Sequence, residues 1–256
     1  MTPPPASAPP SAGSPGLHGR VLDQLGTAIC GDELAAGNVL YIDDLAERYA
    51  VSRSVVREAL RVLASMGMVE SRRRVGTQIR AASQWNVYDP QVIRWRLASR
   101  QRNSQLRSMT ELRTAVEPQA ARLAAERITP DAASELVGTA AKMWAAGQSD
   151  DEDAFLRLDI EFHRQVLAAS GNEMFVKLNE LVAEVLAGRH HYGLMPHHPQ
   201  TEALRLHADV AQAVQRGDGD RAHQAMVRIM EQALEEMKSM WSDEPTAFDV
   251  PGGAAG

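Results

Sequence analysis

Apolar residues recur at every third or fourth position along most of the chain, and this spacing places them on one face of an α-helix. The pattern predicts a first helix over 17–30, a short helix over 42–49 and a further helix that begins after Ser52. Beyond residue 103 it predicts helices over 104–127, 129–146, 150–169, 172–188, 200–216 and 219–241. Because no alternation of Val, Ile and Thr interrupts this C-terminal part, we expect a helical bundle there.

The helix after Ser52 is followed by a sharp stop and a short hairpin. Its apolar residues form a stripe on one side, and its polar side carries Arg53, Ser54, Arg57 and Arg61. Gly67 is placed to end this helix in a left-handed conformation, and 68–70 and 76–79 are predicted as two short strands. The tip between the strands carries Arg72, Arg73 and Arg74. With the short helix before it, the order is helix, turn, helix and hairpin.

This ordered set favours binding to DNA. Guanidinium groups match phosphate oxygens and the acceptor edge of guanine, a helix fits the major groove, and a hairpin can reach the backbone or the minor groove. An amphipathic helix with a solvated basic face is the alternative, and for one charged helix alone it is the better interpretation. The short helix, the tight connection and the hairpin together favour DNA binding.

Composition and charge indicate the number of domains and the part of the chain that could bind DNA. A chain of 256 residues with 44% hydrophobic content can bury more than one core, so two domains are expected. The formal net charge of −6 argues against general binding to polyanions, so any DNA contact requires a local basic patch. The segment 51–80 supplies one, because its arginines are opposed only by Glu58 and Glu70.

The ends of the chain and its single cysteine bear on location. Cys30 is the only cysteine, so neither an intrachain disulfide nor a thiolate metal cluster is possible, and a reducing cytoplasm fits. No apolar run approaches the roughly twenty residues that cross a bilayer, so we expect no membrane partner. The segments 1–16 and 242–256 are predicted to be a disordered arm and a disordered tail.

Polar side chains interrupt the apolar stripes of the predicted bundle. Asp159 and His163 lie at i, i+4 spacing beside one stripe, and His207 lies within another. Arg113 and Glu117 border a third stripe. Since buried polar groups need partners, we expect these residues to share one polar pocket. The carboxylate and the two imidazoles could bind a divalent metal ion. The alternative is a satisfied hydrogen-bond network in which Asp159 fixes a histidine tautomer.

The run LAERYAVSRSVVREALRVLASMGMVE, followed by GTQI, resembles the winged helix-turn-helix of the GntR family of bacterial transcription regulators. The helical remainder resembles its FadR-type branch, whose C-terminal domain is called FCD, and the likeness runs from about His18 to about Met240. The expected fold class is mostly α, with a winged helix-turn-helix carrying a small β-hairpin wing and an all-α antiparallel FCD-like bundle. The expected order is a DNA-binding domain over 17–81, a connecting helix within 82–103 that starts at Asp89 and Pro90, and an effector-binding and dimerisation domain over 104–241.

The resemblance also implies roles for residues. Those expected to contact DNA are Ser52, Arg53, Ser54, Arg57, Arg72, Arg73, Arg74 and Gly76. The FCD pocket uses an Asp-x-x-x-His pair and later histidines to hold a metal, which matches Asp159, His163 and His207 and suggests zinc. Ile229 stands where the family often has a further histidine, and Asp43 stands where some relatives have a DNA-contacting arginine. The residues expected to bind the effector are Arg113, Glu117, Arg189 and His190.

The sequence contains a second cluster of histidines. The cluster is His190, His191, His197 and His198, for which solvated loop residues are favoured over a second metal site.

The favoured function is a cytoplasmic homodimeric repressor that binds an inverted-repeat operator and is released by a small carboxylate such as a sugar acid. The alternatives are a regulator with an acyl-type or lost effector, and a metal-dependent enzyme fused to a DNA-binding head.

Overall fold

A computed structural model of the chain describes residues 16–149, 151–193 and 201–241. The structure divides into two compact units, and the boundary lies between Trp95 and Arg96. The predicted arm up to residue 15, the predicted tail over 242–256, and His197 and His198 lie outside the described residues.

The first unit contains three helices and three short strands among its described residues before residue 80. In chain order they are α1 Leu17–Cys30, β1 Val39–Leu40, α2 Ile42–Arg48, α3 Arg53–Ser65, β2 Val69–Arg72 and β3 Gly76–Ile79. Helix α1 has the predicted bounds, and β3 does as well. The buried residues of these elements, among them Leu25, Val56, Leu63 and Val69, form one apolar core.

The wing is a three-stranded antiparallel sheet in the order β1, β3, β2. The hairpin was predicted, but the sequence analysis placed no element between the helices over 17–30 and 42–49, and it missed the strand of Val39 and Leu40, which pair with Gln78 and Thr77. Two residues are too few for an alternating pattern, and their partners lie far along the chain. The extra strand fixes β3 on both edges and so holds the hairpin against the unit.

Local signals set the start and the end of α3. The Ser52 hydroxyl accepts a hydrogen bond from the Val55 amide at 3.4 Å, as expected of an N-cap. Gly67 follows the helix with a φ of +75°, and a Cβ at this position would lie 2.4 Å from the carbonyl oxygen of Gln84. Only glycine fits this turn without displacing the backbone, so the helix ends where the sequence predicted.

The segment after the wing contains a 3-10 turn over Ala82–Gln84 and then helix α4, Pro90–Leu97. The amide of Gln91 donates to the Asp89 carboxylate at 2.9 Å, so Asp89 and Pro90 start the helix as predicted. Trp85, Val92 and Trp95 are buried in the core of the first unit. The indole of Trp95 also donates to Asp23 at 3.0 Å, which ties this segment to α1.

The second unit is helical throughout its described residues. Its helices are α5 Arg102–Arg127, α6 Pro130–Gln148, α7 Glu152–Ala169, α8 Glu173–Val176, α9 Asn179–His191, α10 Thr201–Gln215 and α11 Gly219–Trp241. The single helix predicted over 172–188 was wrong, because α8 and α9 are separate. No glycine or proline marks this break, so the apolar spacing alone could not reveal it.

Helix α5 lies at the centre of the bundle, in contact with α7, α9, α10 and α11. Helix α6 packs against α7 and α10. The interior includes fully buried Leu106, Leu136, Met143, Phe162 and Met226. Among the described helices, none combines the length and the apolar character needed to cross a membrane.

Candidate functional site

The first candidate surface lies on α3, whose exposed side carries the polar residues predicted to contact DNA. Ser52, Arg53, Ser54 and Arg57 are all exposed, while Val56 and Leu60 on the opposite side are buried. The hydroxyl groups of Ser52 and Ser54 lie 2.8 Å apart. The helix therefore presents hydroxyl and guanidinium donors from its first two turns, the part of a recognition helix that reaches base edges.

Asp43 and Arg53 form an ion pair on this surface. Arg53 Nε lies 2.6 Å from Asp43 Oδ1, and each side chain is 67% exposed. Asp43 is in the first turn of α2 and Arg53 is the first residue of α3. The acidic residue noted as a departure from the family is therefore a direct partner of a predicted DNA-reading residue, which the sequence had not indicated.

The wing carries the other predicted DNA contacts. Arg72 ends β2 and its Nη2 lies 2.6 Å from the carboxylate of Glu70. Arg73 and Arg74 lie in the turn before Gly76, and all three arginines are exposed. Arg74 has a φ of +65°, a conformation that costs free energy for a residue with a Cβ. The tip thus holds an exposed cation in a strained position.

The second candidate site lies inside the second unit, where Asp159, His163 and His207 meet. Helix α7 supplies Asp159 and His163, and α10 supplies His207. The Nε2 atoms of the two histidines lie 3.3 Å and 3.2 Å from the same oxygen, Asp159 Oδ1. All three side chains are buried, and their ligand atoms lie within 4.8 Å of one another.

The outer nitrogens of the two imidazoles fix which atoms face Asp159. His163 Nδ1 lies 2.5 Å from the carboxylate of Glu117, and His207 Nδ1 lies 2.7 Å from the carbonyl oxygen of Ala203. Both partners are acceptors, so a proton on each Nδ1 would leave the lone pair of a neutral ring's Nε2 facing Asp159 Oδ1. Three acceptor atoms would then converge, an arrangement that fits a metal cation or a proton.

A buried ion pair stands behind His163. Arg113 Nε lies 2.5 Å from Glu117 Oε1, and both side chains are only 2% exposed. Arg113 Nη2 also lies 3.4 Å from His163 Nε2. Glu117 is thus shared between the guanidinium and the imidazole, and it is absent from the wall of the cavity described below. Glu117 therefore positions the side chains of His163 and Arg113 and does not reach the cavity surface.

The pKa values of this cluster show how it balances charge. Burial raises the pKa of Asp159, but the imidazoles of His163 and His207 beside its carboxylate hold it well below its usual range. Burial likewise raises the pKa of Glu117, while Arg113 and His163 lower it to about 2. For His163, burial lowers the pKa, and Glu117 and Asp159 raise it to about 9. A metal bound to His163 would take the place of this proton.

A cavity of about 130 Å³ opens beside the three ligand atoms. Its polar wall includes Arg113, Arg189 and His190, and its apolar wall includes Phe155, Leu186 and Ile229. Arg189 is 4% exposed, and His190 Nε2 lies 3.6 Å from Asp153 Oδ1. Arg113 Nη1, Arg189 Nε and His207 Nε2 are buried without a hydrogen-bond partner among the described residues. Unpaired buried donors and acceptors of this kind indicate a ligand site.

Four polar wall residues of this cavity were not predicted as site residues. Gln232 and Glu236 come from α11, and Asp151 and Glu152 come from the start of α7. Arg189 Nη2 donates to Glu236 at 2.6 Å across 47 positions of sequence, a separation that no local pattern reveals. In the second histidine cluster, His191 is exposed and its ring lies 4.7 Å from that of Tyr192.

Comparisons with known proteins agree with these two parts. Residues 17–79 match the family described as bacterial regulatory proteins, gntR family, and residues 108–232 match the FCD domain family. The galactonate operon transcriptional repressor of Escherichia coli is 29% identical over 225 residues, covering 86% of this chain and 96% of that protein. The transcriptional regulator LutR of Bacillus subtilis is 31% identical over 201 residues, covering 76% and 89%.

The fold is also found in solved structures. The structure of Lar, which controls the expression of the Listeria monocytogenes agr system, superposes with a TM-score of 0.54 at 15% identity. It covers 89% of this chain and 99% of the other, so the likeness extends over both parts of the fold. With its winged helix-turn-helix and its FCD domain, this chain belongs to the GntR family of bacterial transcription regulators.

Proposed function

We propose that this chain is a cytoplasmic, homodimeric repressor that leaves its operator when a small carboxylate binds the FCD cavity. The observation that carries the proposal is the convergence of Asp159, His163 and His207 beside a cavity that also exposes unpaired guanidinium atoms. A sugar acid is the first candidate effector, because the similar Escherichia coli protein is a galactonate operon repressor. Binding would favour a conformation of the dimer with lower DNA affinity.

We propose that the three converging ligands hold a divalent metal, with zinc as the first candidate. Two imidazole nitrogens and a carboxylate oxygen form a ligand set used at zinc sites that keep an open position. Glu117 and the Ala203 carbonyl orient the two rings from behind, which is the usual outer support of metal-bound histidines. Ile229 offers no further ligand from α11, so an open position remains for an effector oxygen.

The charges of the pocket support both the metal and the carboxylate. Asp151 and Glu152 of the cavity wall are exposed to solvent, which leaves Arg113 and Arg189 facing the carboxylates of Glu117, Asp159 and Glu236. These five side chains alone carry one negative charge in excess when the histidines are neutral. An incoming carboxylate would be repelled by that excess. A divalent cation reverses the sign, and the pocket then has room and charge for one anion.

On DNA, Arg53, Ser54 and Arg57 of α3 would contact base edges, with Ser52 at the start of the helix. Arg72 to Arg74 and Gly76 of the wing would approach the backbone or the minor groove. Two such surfaces related by a two-fold axis would read an inverted repeat, which is why a homodimer is part of the proposal.

The test is the thermal midpoint of the full-length protein with sugar acids and simple dicarboxylates, after zinc loading or chelation, because a ligand that binds only the folded state raises the midpoint. We expect a carboxylate-specific rise that chelator removes. His207→Ala should abolish it without touching the Arg113, Glu117 and His163 contacts, whereas His223→Ala, on the same unit but off the cavity wall, should retain it. Indifference to every acid and to chelator would contradict the proposal.

A further inference from the structure

Glu236 brings a carboxylate of the protein itself into the effector cavity. Its Oε2 accepts a hydrogen bond from Arg189 Nη2 at 2.6 Å, and its Oε1 accepts one from Gln232 Nε2 at 3.1 Å. Glu236, Gln232 and Arg189 all line the cavity that adjoins the three converging ligands. Both oxygens of Glu236 are thus held, as the carboxylate of a bound ligand would be.

Arg189 is built for an anion in this cavity. Its side chain is 5% exposed, and its buried Nε has no hydrogen-bond partner among the described residues. Burial lowers the pKa of Arg189, Glu236 opposes that shift, and the positive charge of Arg113 adds to it. Both guanidinium groups line the same cavity, so an anion between them would relieve the repulsion of their like charges.

The charge balance leaves room for a single anionic group. Glu117 matches Arg113 and Glu236 matches Arg189, so Asp159 is the remaining buried carboxylate, whereas Asp151 and Glu152 of the wall are exposed to solvent. With the divalent ion of the proposed function, on which this argument rests, the pocket has one positive charge in excess. One carboxylate neutralises it, while a second would lie buried beside Glu236 with no cation left to match it.

We infer that Glu236 occupies the place of a second ligand carboxylate and makes the pocket select monocarboxylates over dicarboxylates of the same length. This selection works by repulsion, because the second carboxylate of a dicarboxylate would lie beside the negatively charged carboxylate of Glu236. Arg189 Nη2 is occupied by Glu236, so it could receive a second ligand carboxylate only when the Glu236 carboxylate is removed by substitution. The inference names the effector class more narrowly than the proposed function, and assigns the choice to one residue of α11.

The test compares matched acids on the zinc-loaded full-length protein by isothermal titration. Galactonate is paired with galactarate, and 2-hydroxybutyrate with malate, so that each pair differs by the second carboxylate. We expect the wild type to bind the monoacid of at least one pair and to prefer it over its diacid. In Glu236→Gln, which keeps an amide oxygen for Arg189, the preference should move toward the diacid by about tenfold or more.

Two further variants show whether the effect belongs to this pair. Adding Arg189→Met to Glu236→Gln should remove the gain in diacid affinity, because the cation that receives the second carboxylate is gone. Glu202→Gln breaks the exposed pair that Glu202 makes with Arg228 of α11, and it should leave the preference unchanged.

The outcomes separate this inference from the proposed function. Monoacid binding with the same mono-to-diacid preference in wild type and Glu236→Gln would overturn the role of Glu236 and leave the proposed function intact. Wild-type preference for the diacid would do the same. An absence of heat and of any midpoint shift with all four acids, in wild type and variant alike, would overturn both.

Discussion

The two units of this regulator place the charged residues of their candidate sites in opposite environments. In the first unit the arginines of α3 and the wing are exposed, and even the paired side chains of Asp43 and Arg53 are 67% exposed. In the second unit Arg113 and Glu117 are 2% exposed and are linked to His163. Exposed cations suit a polyanion that arrives from solvent, whereas buried ones must be neutralised within the fold and suit a small ligand. The difference teaches that the same residue type should respond differently to substitution in each unit.

The largest effect is expected from breaking the buried pair. Arg113→Met leaves Glu117 buried beside one remaining partner, and we expect the free energy of unfolding to fall by about 3 to 5 kcal/mol. Arg164→Met removes an exposed pair with Glu161 in α7, and should cost about 1 kcal/mol or less. Urea denaturation of the metal-free protein measures both. Equal losses would show that burial of the cluster does not make its charges interdependent.

The next effect concerns DNA reading by α3. Arg57→Ala should reduce the preference for the operator over a scrambled duplex by about 1 to 3 kcal/mol, because it removes a donor from the exposed face of the helix. Arg61 lies four residues further on and is already paired with Glu58 at 2.9 Å. Arg61→Ala should therefore weaken binding to the operator and to the scrambled duplex to a similar degree. Fluorescence anisotropy on an operator selected from random duplexes measures the two ratios. Unchanged discrimination in Arg57→Ala would contradict this docking of the helix.

The strained wing tip should separate stability from DNA affinity. Arg74→Gly removes the left-handed strain, and after the entropy cost of glycine we expect a gain of about 1 kcal/mol or less in the free energy of unfolding. DNA affinity should fall, and the slope of log K against log salt should decrease by about 1. Arg73→Gly loses the same charge without relief of strain, so it should weaken DNA binding and lower stability. A gain of stability in both variants would mean that the strain at residue 74 is unimportant.

The sequence predicted the elements whose signals are local and missed the contacts made at a distance. Helix spacing and caps placed α1 and α3, and the i, i+4 pair of Asp159 and His163 was found to share one side of α7. Strand β1 was missed because its partners lie more than thirty positions away. Glu236 was missed for the same reason, since nothing near it in the sequence distinguishes it from the other acidic residues of α11.

The smallest effect is expected at the exposed pair of Asp43 and Arg53 in the first unit, which tests whether an exposed pair matters for function. Asp43→Asn removes a negative charge from the DNA-facing side and releases Arg53 from its partner. An exposed pair contributes about 0.2 to 1 kcal/mol, so stability should hardly change, while binding to a scrambled duplex should tighten and its salt slope should rise by about 1. The preference for the operator should decrease, because Asp43 holds the Arg53 guanidinium in one place before DNA arrives. Anisotropy titrations over a range of salt concentrations measure these terms, with Asp44→Asn, the neighbouring acidic residue of α2, as the control. If both variants bind scrambled DNA equally more tightly and keep the operator preference, Asp43 contributes only general repulsion, and its pair with Arg53 does not matter for recognition.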